Sequence, residues 1–124
     1  MSQLIKTTQT YRNERTILRR VISDLMEGGW QVRINDGEET SEVLTRPNEG
    51  VEYLSWEDTN SGRLEWNLGE FYLVAHHETR SEEMGTDSFV WFIVSNGNEG
   101  RDVVADYGLA LESIMDPILE YFAD

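Results

Sequence analysis

Apolar residues recur at three- and four-residue steps between residues 10 and 27: Ile17, Leu18, Val21, Ile22, Leu25 and Met26. That spacing predicts an amphipathic helix, and Gly28-Gly29 supplies a left-handed stop after it. Arg12, Arg15 and Arg19 form a second stripe on the same helix. Asp24 and Glu27 fall near its C-terminus, where the helix dipole disfavours each carboxylate by roughly a few tenths of a kcal/mol. Trp30, Val32 and Ile34 then alternate with Gln31, Arg33 and Asn35, the period of a half-buried strand. Asn35-Asp36-Gly37-Glu38 is a turn signal, because Asn, Asp and Gly tolerate positive φ. Glu39 to Leu44 is expected to return as a poorly patterned strand. Pro47 is expected to open a short helix over 47–56, with Val51, Leu54 and Trp56 facing inward.

Asn60-Ser61-Gly62 marks another turn, and Leu64, Trp66 and Leu68 alternate with polar residues as a one-sided strand. Phe71 to His77 begins apolar on both faces, and Phe89 to Val94 stays so throughout, which predicts two inner strands. The stretch 78–88 between them is a polar loop. Asn96-Gly97-Asn98-Glu99-Gly100 predicts a hairpin turn, after which Asp102 to Tyr107 pairs back. A last helix is expected over 109–122, with Leu111, Ile114, Met115, Ile118 and Phe122 on one face. Pro117 should kink it or restart it with Asp116 as N-cap. Short turns between strands imply antiparallel pairing. The expected architecture is α+β: a single antiparallel sheet of about four to five strands, with the N- and C-terminal helices packed on one face. All 124 residues are expected to form one domain, 1–124.

Composition changes this picture through charge. There are 24 Asp and Glu against 10 Lys and Arg, a formal net charge of −14. Residues 1–20 carry +4, so the remainder carries −18. Such a chain is not expected to grip nucleic-acid phosphates or dock on an anionic membrane, since both need a positive surface. The absence of cysteine excludes disulfides and thiolate catalysis. No apolar run of membrane-spanning length occurs, and MSQLIKTTQT lacks a signal-peptide pattern. A cytoplasmic setting is expected.

Candidate chemistry is sparse. In His76-His77-Glu78, neighbours on a strand point to opposite faces, so the imidazoles do not easily share an ion. No third ligand stands at a recognised spacing, and no metal or other cofactor is expected. The pairs Glu38-Glu39, Glu57-Asp58 and Glu82-Glu83 fall in turns and polar loops, where both groups stay solvated rather than acting as acid and base. Read as a calcium loop from Asn96, the chain has Arg101 and Tyr107 where Gly and Glu are required. Ser, His and Asp occur without a nucleophile elbow. The chain is therefore not expected to be an enzyme. Trp56, Trp66 and Tyr72 are the aromatics least firmly assigned to the core, and beside acids they would serve as anchors for a basic partner.

Gly29-Trp30, Asp36-Gly37-Glu38-Glu39, Val94 to Gly100 and Arg101-Asp102-Val103-Val104-Ala105-Asp106-Tyr107 resemble a scattered group of small acidic proteins of phages, plasmids and other mobile elements. In that group the C-terminal half reads Gly-Asn-x-Gly, then Asp-Val-x-x-Asp-Tyr, then an acidic amphipathic helix. The likeness covers about half the chain, and residues 40–70 depart from it. It implies a non-enzymatic protein of mobile-element origin. By analogy of class, it implies an anti-CRISPR or anti-restriction inhibitor that imitates DNA.

Charge and resemblance give one functional expectation. An acidic surface docks on the basic nucleic-acid-binding groove of a host defence complex, a Cas effector or restriction enzyme. The residues expected to contact that partner are Asp36, Glu38, Glu39, Glu42, Glu78, Glu82, Glu83 and Asp87. The competing expectation is an acidic cytosolic structural or interaction module whose charge serves solubility.

Overall fold

The computed structural model describes residues 8–57, 64–66, 69–81, 86–94 and 100–123. Helix α1 (Thr8–Glu27) is followed by strand β1 (Gln31–Asn35), helix α2 (Asn48–Leu54) and two three-residue strands, β2 (Ser55–Glu57) and β3 (Leu64–Trp66). Then come β4 (Gly69–His76), β5 (Ser88–Val94), a 3-10 turn (Gly100–Val103), β6 (Val104–Tyr107), a second 3-10 turn (Leu109–Leu111) and α3 (Glu112–Tyr121). The main sheet has four antiparallel strands in the order β1-β4-β5-β6. The fold is α+β.

Alternation along the strands decides which face is covered. Val32 and Ile34, Phe71, Leu73 and Ala75, and Val90, Phe92 and Val94 point inward and are buried. They share one core with Ile17, Leu18, Val21, Ile22 and Leu25 of α1, Val51 and Leu54 of α2, and Met115 and Ile118 of α3. All three helices thus cover the same face, because each has one apolar stripe to bury. Phe71 and Phe92 stack at its centre, with ring centroids 4.9 Å apart. On the other face Tyr72 stacks on Trp91 across β4 and β5. That pair explains the two-sided apolarity of residues 89–94: β5 is an inner strand with one face in the core and one half-buried.

Several local expectations are corrected. Residues 39–44 form no regular strand; Thr40 makes an isolated bridge to Asn35, and Leu44 N–H donates to Val32 O. The short helix ends at Leu54, so Trp56 lies on β2, which pairs with β3 in a separate two-stranded ladder. Pro117 sits inside α3 without restarting it. Asp116 is no N-cap; its carboxylate accepts a short hydrogen bond from the Tyr107 hydroxyl. Asp24, disfavoured at the end of α1, is compensated one turn back, where Arg20 Nε lies 2.9 Å from its carboxylate. The predicted hairpin turn at 96–99 lies outside the described residues.

Candidate acidic docking site

The turn after β1 is built by its own side chains. Asn35 Oδ1 accepts from Gly37 N–H at 2.8 Å, and Asp36 Oδ1 accepts from Glu38 and Glu39 N–H at 2.9 and 2.8 Å. Gly37 adopts φ +100°, open to glycine and costly for other residues. Those N–H donors favour the charged form of Asp36 and hold its carboxyl below the usual range. Ser41 then fastens the segment to β1. Its Oγ accepts from Ile34 N–H at 2.8 Å, and its own N–H donates to Ile34 O at 2.7 Å.

The chain next enters α2, whose buried side is Gly50, Val51 and Leu54. The opposite side presents Glu49, Glu52 and Tyr53 beside the turn. Gly50 permits this close approach: a Cβ there would lie 2.4 Å from the Ile22 Cδ1 methyl of α1. Arg19 of α1 also reaches Asn48 at 3.3 Å. At least one member of the arginine stripe therefore buttresses α2. The side chain of Arg12 lies outside the described set.

Between turn and helix lies an open groove of about 530 Å³, lined by Glu42, Leu44, Thr45, Glu49, Glu52 and Tyr53 among others. Tyr53 is 38% exposed. Partial burial raises its phenol pKa, and Asp36 and Glu39 raise it further, which puts both carboxylates within electrostatic reach of the ring. Some acids here are already engaged. Glu49 accepts from the Thr45 backbone and hydroxyl, which lowers its pKa. Arg46 forks onto Glu52 at 3.1 and 2.9 Å, and lowers that carboxyl too. Glu38, Glu39 and Glu42 are exposed and form no ion pair among the described residues. Residues 36–54 hold six carboxylates and one arginine, a net charge of −5.

The remaining expected contact residues lie elsewhere. The register sets Gln31 opposite His76 and Asn35 opposite Tyr72. The turn bearing Asp36, Glu38, Glu39 and Glu42 therefore leaves one end of the sheet, and the loop bearing Glu78 and Asp87 leaves the other. The two ends are separated by the length of β1, about 16 Å at about 3.3 Å per residue. Asp87 is also engaged, 2.7 Å from His76 Nδ1. Glu82 and Glu83 lie outside the described residues. The structure sets Glu42 beside Glu49, Glu52 and Tyr53, with Asp36 and Glu39 within electrostatic reach of that ring and Glu38 exposed on the same turn, and it does not join them to Glu78 or Asp87. Those three additions were readable in principle: inward Val51 and Leu54 leave them on the outer side of a helix. Compared with known protein families, curated proteins and solved structures, the chain finds no match.

Proposed function

We propose that this chain is a non-enzymatic binding protein whose acidic groove docks on the basic, nucleic-acid-binding surface of a partner protein. The observation that carries the reading is the groove beside Tyr53. There an exposed aromatic ring adjoins Glu42 and lies within electrostatic reach of Glu39, two carboxylates without an ion pair among the described residues, on a segment of net charge −5. Aromatic anchors ringed by charge suit a cationic partner, since arginine stacks on the ring and pairs with the carboxylates. A surface lined with Arg and Lys to hold duplex phosphates, as in a Cas effector or restriction enzyme, offers those cations. Long-range attraction between an acidic body and such a groove speeds encounter. The resemblance to small acidic mobile-element proteins suits inhibition of that kind.

The test uses the full chain as bait in a bacterial lysate. A retained nucleic-acid-binding protein that is released by excess duplex DNA, and is not retained by the Glu39→Lys/Glu42→Lys variant, supports the reading. Retained proteins indifferent to DNA and equally bound by the variant contradict it.

A further inference from the structure

The other end of the sheet carries a cleft of about 210 Å³ that the docking reading does not use. Trp30, Phe89, Leu109 and Ala110 give it an apolar lining, and Arg80 and Asp87 are the charged residues beside it. Phe89 is 37% exposed and Leu109 76%, so two large apolar side chains are left in solvent at one place. The cleft is held by close contacts. A Cβ on Gly108 would fall 2.1 Å from Ser88 Oγ, so the 3-10 turn bearing Leu109 presses on the start of β5 as closely as glycine allows. Arg80 is also on a fastened segment: its backbone N–H and that of Thr79 donate to His77 Nδ1 at 3.3 and 3.2 Å. The next residue, Ser81, is buried and accepts from His77 N–H at 2.9 Å.

The two charges are not equivalent. The Asp87 carboxylate is engaged by His76. Arg80 forms no ion pair among the described residues, in a chain where acids outnumber cations 24 to 10. A guanidinium matches a carboxylate with two parallel N–H donors. A cavity of about 150 Å³ lined by apolar side chains accepts benzene. The larger cleft therefore has room for one ring and a short acidic arm. We propose that it binds a small aromatic carboxylate, with the ring against Trp30, Phe89 and Leu109 and the carboxylate on Arg80. The net charge of −14 repels an anion at long range, and salt screens that repulsion. Added salt should thus strengthen this binding, or leave it unchanged, while weakening the association of a cation with the acidic groove.

The experiment is an amide-detected NMR titration of the full chain with phenylacetate and with phenylacetamide, its neutral analogue. The expected result is saturable binding of phenylacetate with Kd on the order of 1 mM. Shifts should concentrate at Phe89, Gly108, Leu109 and Ala110, and the amide should bind several-fold more weakly. Arg80→Gln should weaken phenylacetate by about tenfold, the worth of a charged hydrogen bond, and bring acid and amide to the same affinity. Leu109→Ser, at an exposed position, should weaken both. The Glu39→Lys/Glu42→Lys variant should bind phenylacetate as wild type does, which keeps this proposal separate from the docking reading. Absence of saturable shifts, shifts centred away from the cleft, equal affinity for acid and amide, or an unaffected Arg80→Gln variant would overturn it.

Discussion

At the end of the sheet where β1 finishes, Ser41 Oγ accepts from Ile34 N–H and its own N–H returns to Ile34 O, at 2.8 and 2.7 Å. At the other end Ser81 treats His77 in the same manner, with both bonds at 2.9 Å. Both serines are buried, and each pins a polar loop to the strand it leaves. What they pin differs. One loop sets Glu42, without an ion pair among the described residues, beside Tyr53; the other sets Arg80 beside an apolar cleft. A short reciprocal clamp thus fixes a loop's position without dictating its chemistry. Two surfaces of different chemistry, one acidic and one apolar beside an arginine, therefore share one small core.

If the ends truly share that core, removing its centre should release both. Phe92→Ala deletes half of the Phe71–Phe92 stack and is expected to cost about 3–5 kcal/mol. Denaturant unfolding should show one weakened transition, with amide protection lost together at both ends. Protection persisting at one end alone would show that the two ends rest on separate cores.

The clamps should act locally. Ser41→Ala leaves the buried Ile34 N–H without its acceptor, and Ser81→Ala removes the acceptor of the partly buried His77 N–H. Each is expected to cost about 1–3 kcal/mol. Hydrogen exchange should quicken around residues 34 and 40–44 in the first variant and around 77–81 in the second. Cross-effects of equal size would show that the clamps are not independent.

The smallest effects concern pH and have opposite signs at the two ends. Tyr107, next to the cleft glycine, donates to Asp116, and its phenol is pushed up to about 12. The raised value favours the folded state while the phenol stays neutral. That contribution is present below the ordinary value near 10 and fades as pH rises toward about 12. Tyr107→Phe should therefore approach wild type in stability at high pH. Asp36 is lowered instead, by the N–H groups of Glu39 and Glu38. Its contribution is present above the ordinary carboxylate range and is lost as pH falls through the lowered value. Asp36→Asn should loosen residues 38–39 at neutral pH and differ little from wild type in strong acid, both read by exchange or melting.

How much of this was legible follows from the range of the interactions. Helix α1 and strands β1, β4 and β5 could be read because their apolar periods are local and their core neighbours all lie on one side. The β2–β3 ladder could not, since strands of three residues leave no period to read and choose partners through pairing across the chain. Residues 39–44 lacked alternation because that segment is held at isolated points, the Ser41 clamp on Ile34 and the Leu44 bond to Val32, rather than by a continuous ladder. The Asp36 turn was legible residue by residue. The separation of its acids from Glu78 and Asp87 was not, since it follows from β4 running antiparallel to β1 with Gln31 opposite His76.

That separation allows the docking claim to be tested with net charge held fixed. Two double reversals each change the charge by four units: Glu39→Lys/Glu42→Lys at the groove, and Glu27→Lys/Glu78→Lys at the opposite end, where both residues are exposed. The measurement is the association rate of each variant with a fluorescent arginine-rich peptide, by stopped flow across a salt series. Groove reversal should slow association about tenfold at low salt, the opposite pair should barely change it, and the difference should close as ionic strength approaches about 1 M. Equal slowing by the two pairs would mean that only total charge matters, and the acidic groove would lose its claim to be the docking site.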